Sequence, residues 1–164
     1  HPTLLNDIET SLGCVLRNEE GEFVPARLAA RIFPDPLALQ KVESLVFPAL
    51  IEDFKAFAEA HDEEDIIVFE SATILEKPQF DGFGDVVVLV DAPYEVRLDR
   101  ACARDGADPV AVEARMKNQK LMNMLSEGGH DHRIDAVIMN DSDMDELKNR
   151  TMETMTVLFG DWKR

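Results

Sequence analysis

No G-x-x-x-x-G-K-[ST] phosphate loop occurs anywhere in these 164 residues. Long apolar runs are missing too. The longest, Val86 to Val90, has five residues, far from the roughly 18 that a membrane span requires. The first residues lack an apolar signal core. They also lack Met, and a start at His1-Pro2 reads as the interior of a larger chain. Cysteine is scarce: Cys14 and Cys102 are too few for a disulfide framework. Both read as free thiols of a reducing, cytoplasmic compartment. Positive charge is short as well, with 17 Lys and Arg against 33 Asp and Glu and a net charge of -16. That field argues against non-specific binding of nucleic acid and against docking on anionic membranes.

What remains is a chain that is 45% hydrophobic and 30% charged, the balance of a soluble folded protein. Its length suits one domain, which buries roughly 70% of its unfolded surface. No internal repeat, linker or low-complexity segment divides it. Helices are expected over Pro2 to Leu12, with Leu5, Ile8 and Leu12 on one face, and over Pro25 to Phe33. A third starts at Pro34-Asp35-Pro36 and carries Leu39, Val42, Leu45, Val46, Leu50, Phe54 and Phe57 at the helical period. Pro48 predicts a kink or break in it near Phe47. Three runs read as strands: Ile66 to Phe69, Val86 to Val90, and Ala136 to Met139. None alternates apolar with polar, which predicts parallel strands covered on both faces. The last helix is expected from cap residues Asp141-Ser142 to a stop at Gly160.

The scarce positive charge is not spread evenly. Arg97, Arg100, Arg104, Arg115, Lys117 and Lys120 fall within 24 positions, set against Asp99, Asp105, Asp108 and Glu113. Arg97, Arg100 and Arg104 have helical spacing, so they share a face. Like charges that close repel unless an anion bridges them or acids intervene. Guanidinium groups gathered in this way suit phosphate. Against that stands a solvated face with local ion pairs, such as Arg100 with Asp99 or Asp105. Each apolar run also ends in a polar residue, Glu70, Asp91 or Asn140. Open parallel sheets bind ligands beyond the carboxyl ends of their strands, so all three are candidates for one cleft.

Weaker features carry less. His130-Asp131-His132 reads as a polar loop rather than a metal site. Gly82-Phe83-Gly84 lacks the third glycine of a dinucleotide fingerprint, since position 87 is Val. The methionines read as core filling. Cys102 has no catalytic histidine beside it in sequence and is given no role.

Taken together, the motifs resemble those of the dephospho-CoA kinase family. The strongest match is Val87 to Gln119, with V-D-A-P, R-L-x-R, A-R-D-G, E-A-R and the closing Gln. Phe33-Pro34-Asp35-Pro36 with Leu39 and Glu43, VFESATILE over Val68 to Glu76, and AVIMND over Ala136 to Asp141 follow in the family's order. The resemblance implies an α/β, parallel-sheet, three-layer domain of the P-loop kinase type with a helical lid and substrate region. Residues 1–64 become a helical acceptor side, 65–93 and 134–164 the core sheet and its helices, and 94–133 the arginine helix and lid. It implies transfer of a phosphoryl group from ATP, with Mg2+, to the 3′-hydroxyl of dephospho-CoA, in the cytoplasm. Arg100, Arg104 and Arg115 become the catalytic cations. Glu70, Glu76, Asp91, Arg100 and Arg104 line the acceptor pocket. Arg115, with Gln119 at the end of the same helix, closes over ATP, and Asn140 lies near its adenine.

The sequence departs from that family in two places. The family's opening strand, glycine loop with its Lys, following helix and acidic base are expected before His1. ATP and Mg2+ would be held mainly there, and these residues alone are expected to be inactive. Phe47-Pro48 stands where the family has His-Pro. Two rivals fit the same features: another nucleoside or nucleotide kinase of this architecture, and a non-catalytic nucleotide-binding fragment. Oligomeric state is not encoded in any motif.

Overall fold

Asp35 and Pro36 start the longest helix, and their roles there differ. The computed structural model describes residues 3–64, 66–117 and 119–160, and in it the Asp35 carboxylate accepts from the N–H groups of Leu37 (3.0 Å) and Ala38 (3.1 Å). Two otherwise orphaned donors are thereby satisfied, and those bonds hold the Asp35 carboxyl below its ordinary pKa. Pro36 has no N–H to lose, so it fits the first helical position.

The chain divides into two units, His1–Ile67 and Val68–Arg164. The first is helical: α1 (Leu4–Leu12), α2 (Pro25–Ile32) and α3 (Pro36–Ala60). Its core joins Ile8 and Leu12 of α1, Leu16 just beyond, and Ala38 and Val42 of α3. Gly13, at φ 63°, ends α1 in the left-handed region that glycine tolerates best. Leu16 is 1% exposed, and its N–H donates to the Glu9 carboxylate at 2.8 Å. The helix α3 continues through Pro48 without the expected break. Pro48 cannot donate to the Ser44 carbonyl, but Ser44 lies on an exposed face, where an unpaired carbonyl costs little. Beyond Val42 no residue of α3 is fully buried, and Leu50 and Phe57 are exposed.

The second unit holds β1 (Val88–Asp91), α4 (Tyr94–Asp105), α5 (Pro109–Met116), α6 (Lys120–Ser126), β2 (Ala136–Met139) and α7 (Met144–Phe159). Short 3-10 turns at Ile74–Glu76 and Pro78–Phe80 precede them. The strands β1 and β2 pair in parallel, Val88 opposite Ala136 through Asp91 opposite Met139. A parallel pair needs a long crossover, which α4, α5 and α6 supply.

The run Ile66 to Phe69, expected as a strand, is none. It has no ladder partner among the described residues. Phe69 instead sets its ring 6.0 Å from Phe80 and 5.1 Å from Phe83. Nor are the two strands covered on both faces. Val90 is 57% and Val137 50% exposed: α7 lies against β2, and a sheet this narrow leaves the other valines open. A cluster of Leu98, Val112 and Met116 fastens α4 to α5. The cap of α7 is Asp143, which accepts from Glu146 N–H at 2.9 Å. It lies one residue past the expected pair, because Asp141 is held elsewhere.

Candidate anion site at the strand ends

The carboxyl ends of β1 and β2 are joined by main-chain bonds before any side chain is added. Asn140 N–H donates to the Asp91 carbonyl at 2.7 Å. Asp91 turns its carboxylate onto the Ala92 N–H (2.7 Å) and toward Arg97 Nε at 3.8 Å. Arg97 Nε in turn donates to the Ala92 carbonyl at 2.9 Å. Both groups are thus occupied in closing the turn after β1. One turn further along α4, Arg100 Nη1 donates to the Asn140 carbonyl at 2.8 Å. Arg100 forms no ion pair with a carboxylate among the described residues. It is an exposed cation anchored at the strand ends through one of its five N–H donors.

Arg104, one turn on, is arranged differently. Its Nε and Nη2 donate to the two oxygens of Asp105, at 2.7 and 3.3 Å. Arg115 Nη2 of α5 donates to the same carboxylate at 2.8 Å. Asp105 therefore sits between two guanidinium groups, and Arg104 first and Arg115 second draw its pKa from 3.8 to about 2. Its hydrogen bonds first, and its charge second, in turn raise the pKa of Arg104. Gly106 makes the meeting possible. At φ 58° it ends α4 in the left-handed region, where a side chain would be strained, and the chain reverses into α5.

The remaining expected residues make other contacts. Glu76 Oε1 accepts from Leu121 N–H at 3.1 Å and so ties the turn at Ile74–Glu76 to the start of α6. Glu70 is exposed and holds no hydrogen bond to another described residue. Gln119 does not end the helix of Arg115. The helix α5 stops at Met116, and Gln119 caps α6 instead, its carbonyl accepting from Asn123 N–H at 3.0 Å. Phe47 belongs to α3 of the first unit.

Two arginines that sequence reasoning passed over shape the second unit. Arg133 donates to both oxygens of Asp131 (3.0 and 2.7 Å), to Asp81 (3.2 Å) and to the Leu75 carbonyl (2.8 Å). It pins the loop before β2 to the turn that carries Glu76. Asp131 is only 9% exposed; the Arg133 side chain, then the Arg133 N–H, draws its pKa from 3.8 to about 2. Arg150 of α7 donates to the Met139 carbonyl (2.7 Å), Asp141 (2.6 Å) and Glu146 (2.9 Å). That fixes the chain just past β2. The Glu146–Arg150 spacing of four was the visible signal for it; nothing local announced Arg133.

The arrangement can place cationic N–H donors beside an anionic group at the strand ends. Among the described residues no three His, Cys, Asp or Glu side chains could hold a metal ion. No described helix is long and apolar enough to cross a membrane. The family model for dephospho-CoA kinase matches residues 2–153. A dephospho-CoA kinase of Porphyromonas gingivalis is 35% identical over 116 residues, 71% of this chain and 56% of that protein. One of Idiomarina loihiensis is 30% identical over 146 residues, 89% of this chain and 69% of that protein. The chain thus spans little more than half of the first relative's length. A solved dephospho-CoA kinase of Campylobacter jejuni shares the fold, with a TM-score of 0.54 at 18% identity over 94% of this chain and 75% of that one.

Proposed function

Since the chain belongs to the dephospho-CoA kinase family, we propose that the protein carrying these residues transfers the γ-phosphoryl group of ATP to the 3′-hydroxyl of dephospho-CoA. The observation that carries this reading is Arg100. It is anchored to the Asn140 carbonyl at the ends of two parallel strands, with no carboxylate to neutralise it among the described residues. Ligands of such sheets sit there, and phosphoryl transfer is served mainly by position and by neutralised charge. The acceptor oxygen bonds to the γ-phosphorus as the bond to the bridging oxygen breaks. ADP leaves with that electron pair, and the hydroxyl proton passes to water.

Arg100 neutralises the transferred group, and Arg104 and Arg115 approach it from the ends of α4 and α5. Asn140 and Gln119 serve the ATP side. Asp91, Glu70 and Glu76 border the acceptor, Asp91 and Glu76 as shaping groups whose oxygens already hold protein N–H donors. The 164 residues contain no glycine-rich cradle with its lysine, and no residue here is assigned to Mg2+. When bound with ATP, that ion supplies charge neutralisation between the phosphates. It needs few protein carboxylates of its own.

The test uses the protein expressed from its full reading frame, with ATP, Mg2+ and a panel of acceptors. Equal amounts of ADP and coenzyme A, formed with dephospho-CoA alone, are expected. Turnover of adenosine or a nucleoside monophosphate instead would replace the acceptor assignment. ATP binding without transfer to any acceptor would reduce the protein to a nucleotide-binding role.

A further inference from the structure

The cluster in which Asp105 lies between Arg104 and Arg115 has a consequence beyond the count of cations. We infer that Asp105 is a positioning residue for phosphoryl transfer, holding Arg104 and Arg115 as one rigid pair that faces the transferred phosphate. The inference rests on the kinase reading and deepens it.

Two exposed guanidinium groups repel, and each flexible arm costs entropy to fix. Here one carboxylate removes both problems. Arg104 spends Nε and Nη2 on Asp105, and Arg115 spends Nη2. Each keeps donors on the side away from the carboxylate, because a guanidinium carries five. One negative charge against two positive ones leaves the trio net cationic, so it still attracts phosphate. Asp105 is itself fixed, being the last residue of α4 before the Gly106 reversal. The Leu98, Val112 and Met116 cluster fixes α5 beside it. The carboxylate stays charged throughout the range in which a kinase works. Preorganised cations cost nothing to reorient when charge develops, which is where such groups accelerate a reaction.

A merely structural ion pair predicts something else. Its loss would lower the melting temperature and disturb the binding of every ligand alike. Loss of a positioning carboxylate acts through the two arginines. The experiment measures Asp105→Asn, Arg115→Ala and the double variant in the full-length protein. With dephospho-CoA as acceptor, Asp105→Asn should lower kcat by about tenfold or more and leave the KM for dephospho-CoA within about twofold. In the Arg115→Ala background the same change should cost less than about threefold, since the group it positions is gone. Asp105→Glu should recover part of the loss. Additive effects on kcat, or a kcat for Asp105→Asn within twofold of the parent, would overturn the inference.

Failure of the kinase reading shows separately. If the parent protein turns over no dephospho-CoA, the same four proteins are titrated calorimetrically with inorganic triphosphate. Arg115→Ala should then weaken binding about tenfold in the parent but less than about threefold in Asp105→Asn. Equal losses in both backgrounds would overturn the positioning role whatever the acceptor.

Discussion

Replacing Val112 by alanine should loosen the joint that brings the arginines together. Val112 is 1% exposed and packs with Leu98 and Met116 between α4 and α5. The substitution removes two buried carbons, at ~0.8 kcal/mol each for transfer to water, or about 1.6 kcal/mol. If roughly half the void stays open, on the order of 25 Å³, the cavity adds about 0.6 kcal/mol at ~24 cal/mol per Å³. The sum is about 2 kcal/mol. With an m-value of about 2 kcal/mol/M, the urea midpoint should fall by about 1 M and the slope should hold. Val110 supplies the control. It lies on the same helix two residues away and is 74% exposed, so Val110→Ala should stay within about 0.5 kcal/mol of the parent. Equal shifts in the two variants, or a loss under about 0.5 kcal/mol for Val112→Ala, would mean that α5 is not seated on α4 as described.

Two further outcomes follow from the charged groups. Arg100→Met should reduce turnover about 10²- to 10³-fold with little change in melting temperature, because the one side-chain hydrogen bond it makes among the described residues, to the Asn140 carbonyl, is exposed; activity close to the parent's would remove Arg100 from the site. Asp131 has its pKa drawn from 3.8 to about 2 by Arg133, so its stabilisation is full above pH 3.8 and is lost as the pH falls toward 2. Urea midpoints measured across that window should drop less steeply for Asp131→Asn than for the parent, with Asp105 supplying a remaining slope in the same direction. An unchanged slope would show that Arg133 does not hold the charged form.

Much of this was readable along the chain, because it depends on near neighbours. The Pro-Asp-Pro start of α3, the glycine stops and the β2 run all declare themselves within a few residues. So do the polar ends of the strands and the helical spacing of Arg100 and Arg104. The misreadings have physical causes. Ile66 to Phe69 has the composition of a strand, but a strand exists only with a partner, and composition does not name one. Pro48 costs α3 one main-chain bond, and the carbonyl it leaves over, that of Ser44, lies on an exposed face. The end of α5 at Met116 separates Gln119 from the helix of Arg115, a boundary no strong breaker marks. Asp105 was visible as an acid beside Arg104. Its second partner, ten residues away, depends on the reversal at Gly106 and on the core beneath it. Arg133 reaches back 52 and 58 residues to Asp81 and Leu75, a distance no local pattern spans.

The strand β1 also bears on how these 164 residues by themselves would behave among copies of themselves. Asp135 N–H donates to the Val87 carbonyl and Asn140 N–H to that of Asp91, so alternate residues face β2. Val88 and Val90 turn their main-chain groups to the opposite edge, where no described residue meets them. A bare edge is a template on which another chain can add itself. This one is four residues long, with the acidic residue Asp85 shortly before it and Asp91 at its end, on a chain of net charge -16. A second copy approaching edge to edge would bring carboxylate against carboxylate. Like charge at both ends of β1 thus disfavours addition of a second copy to this edge of the described sheet.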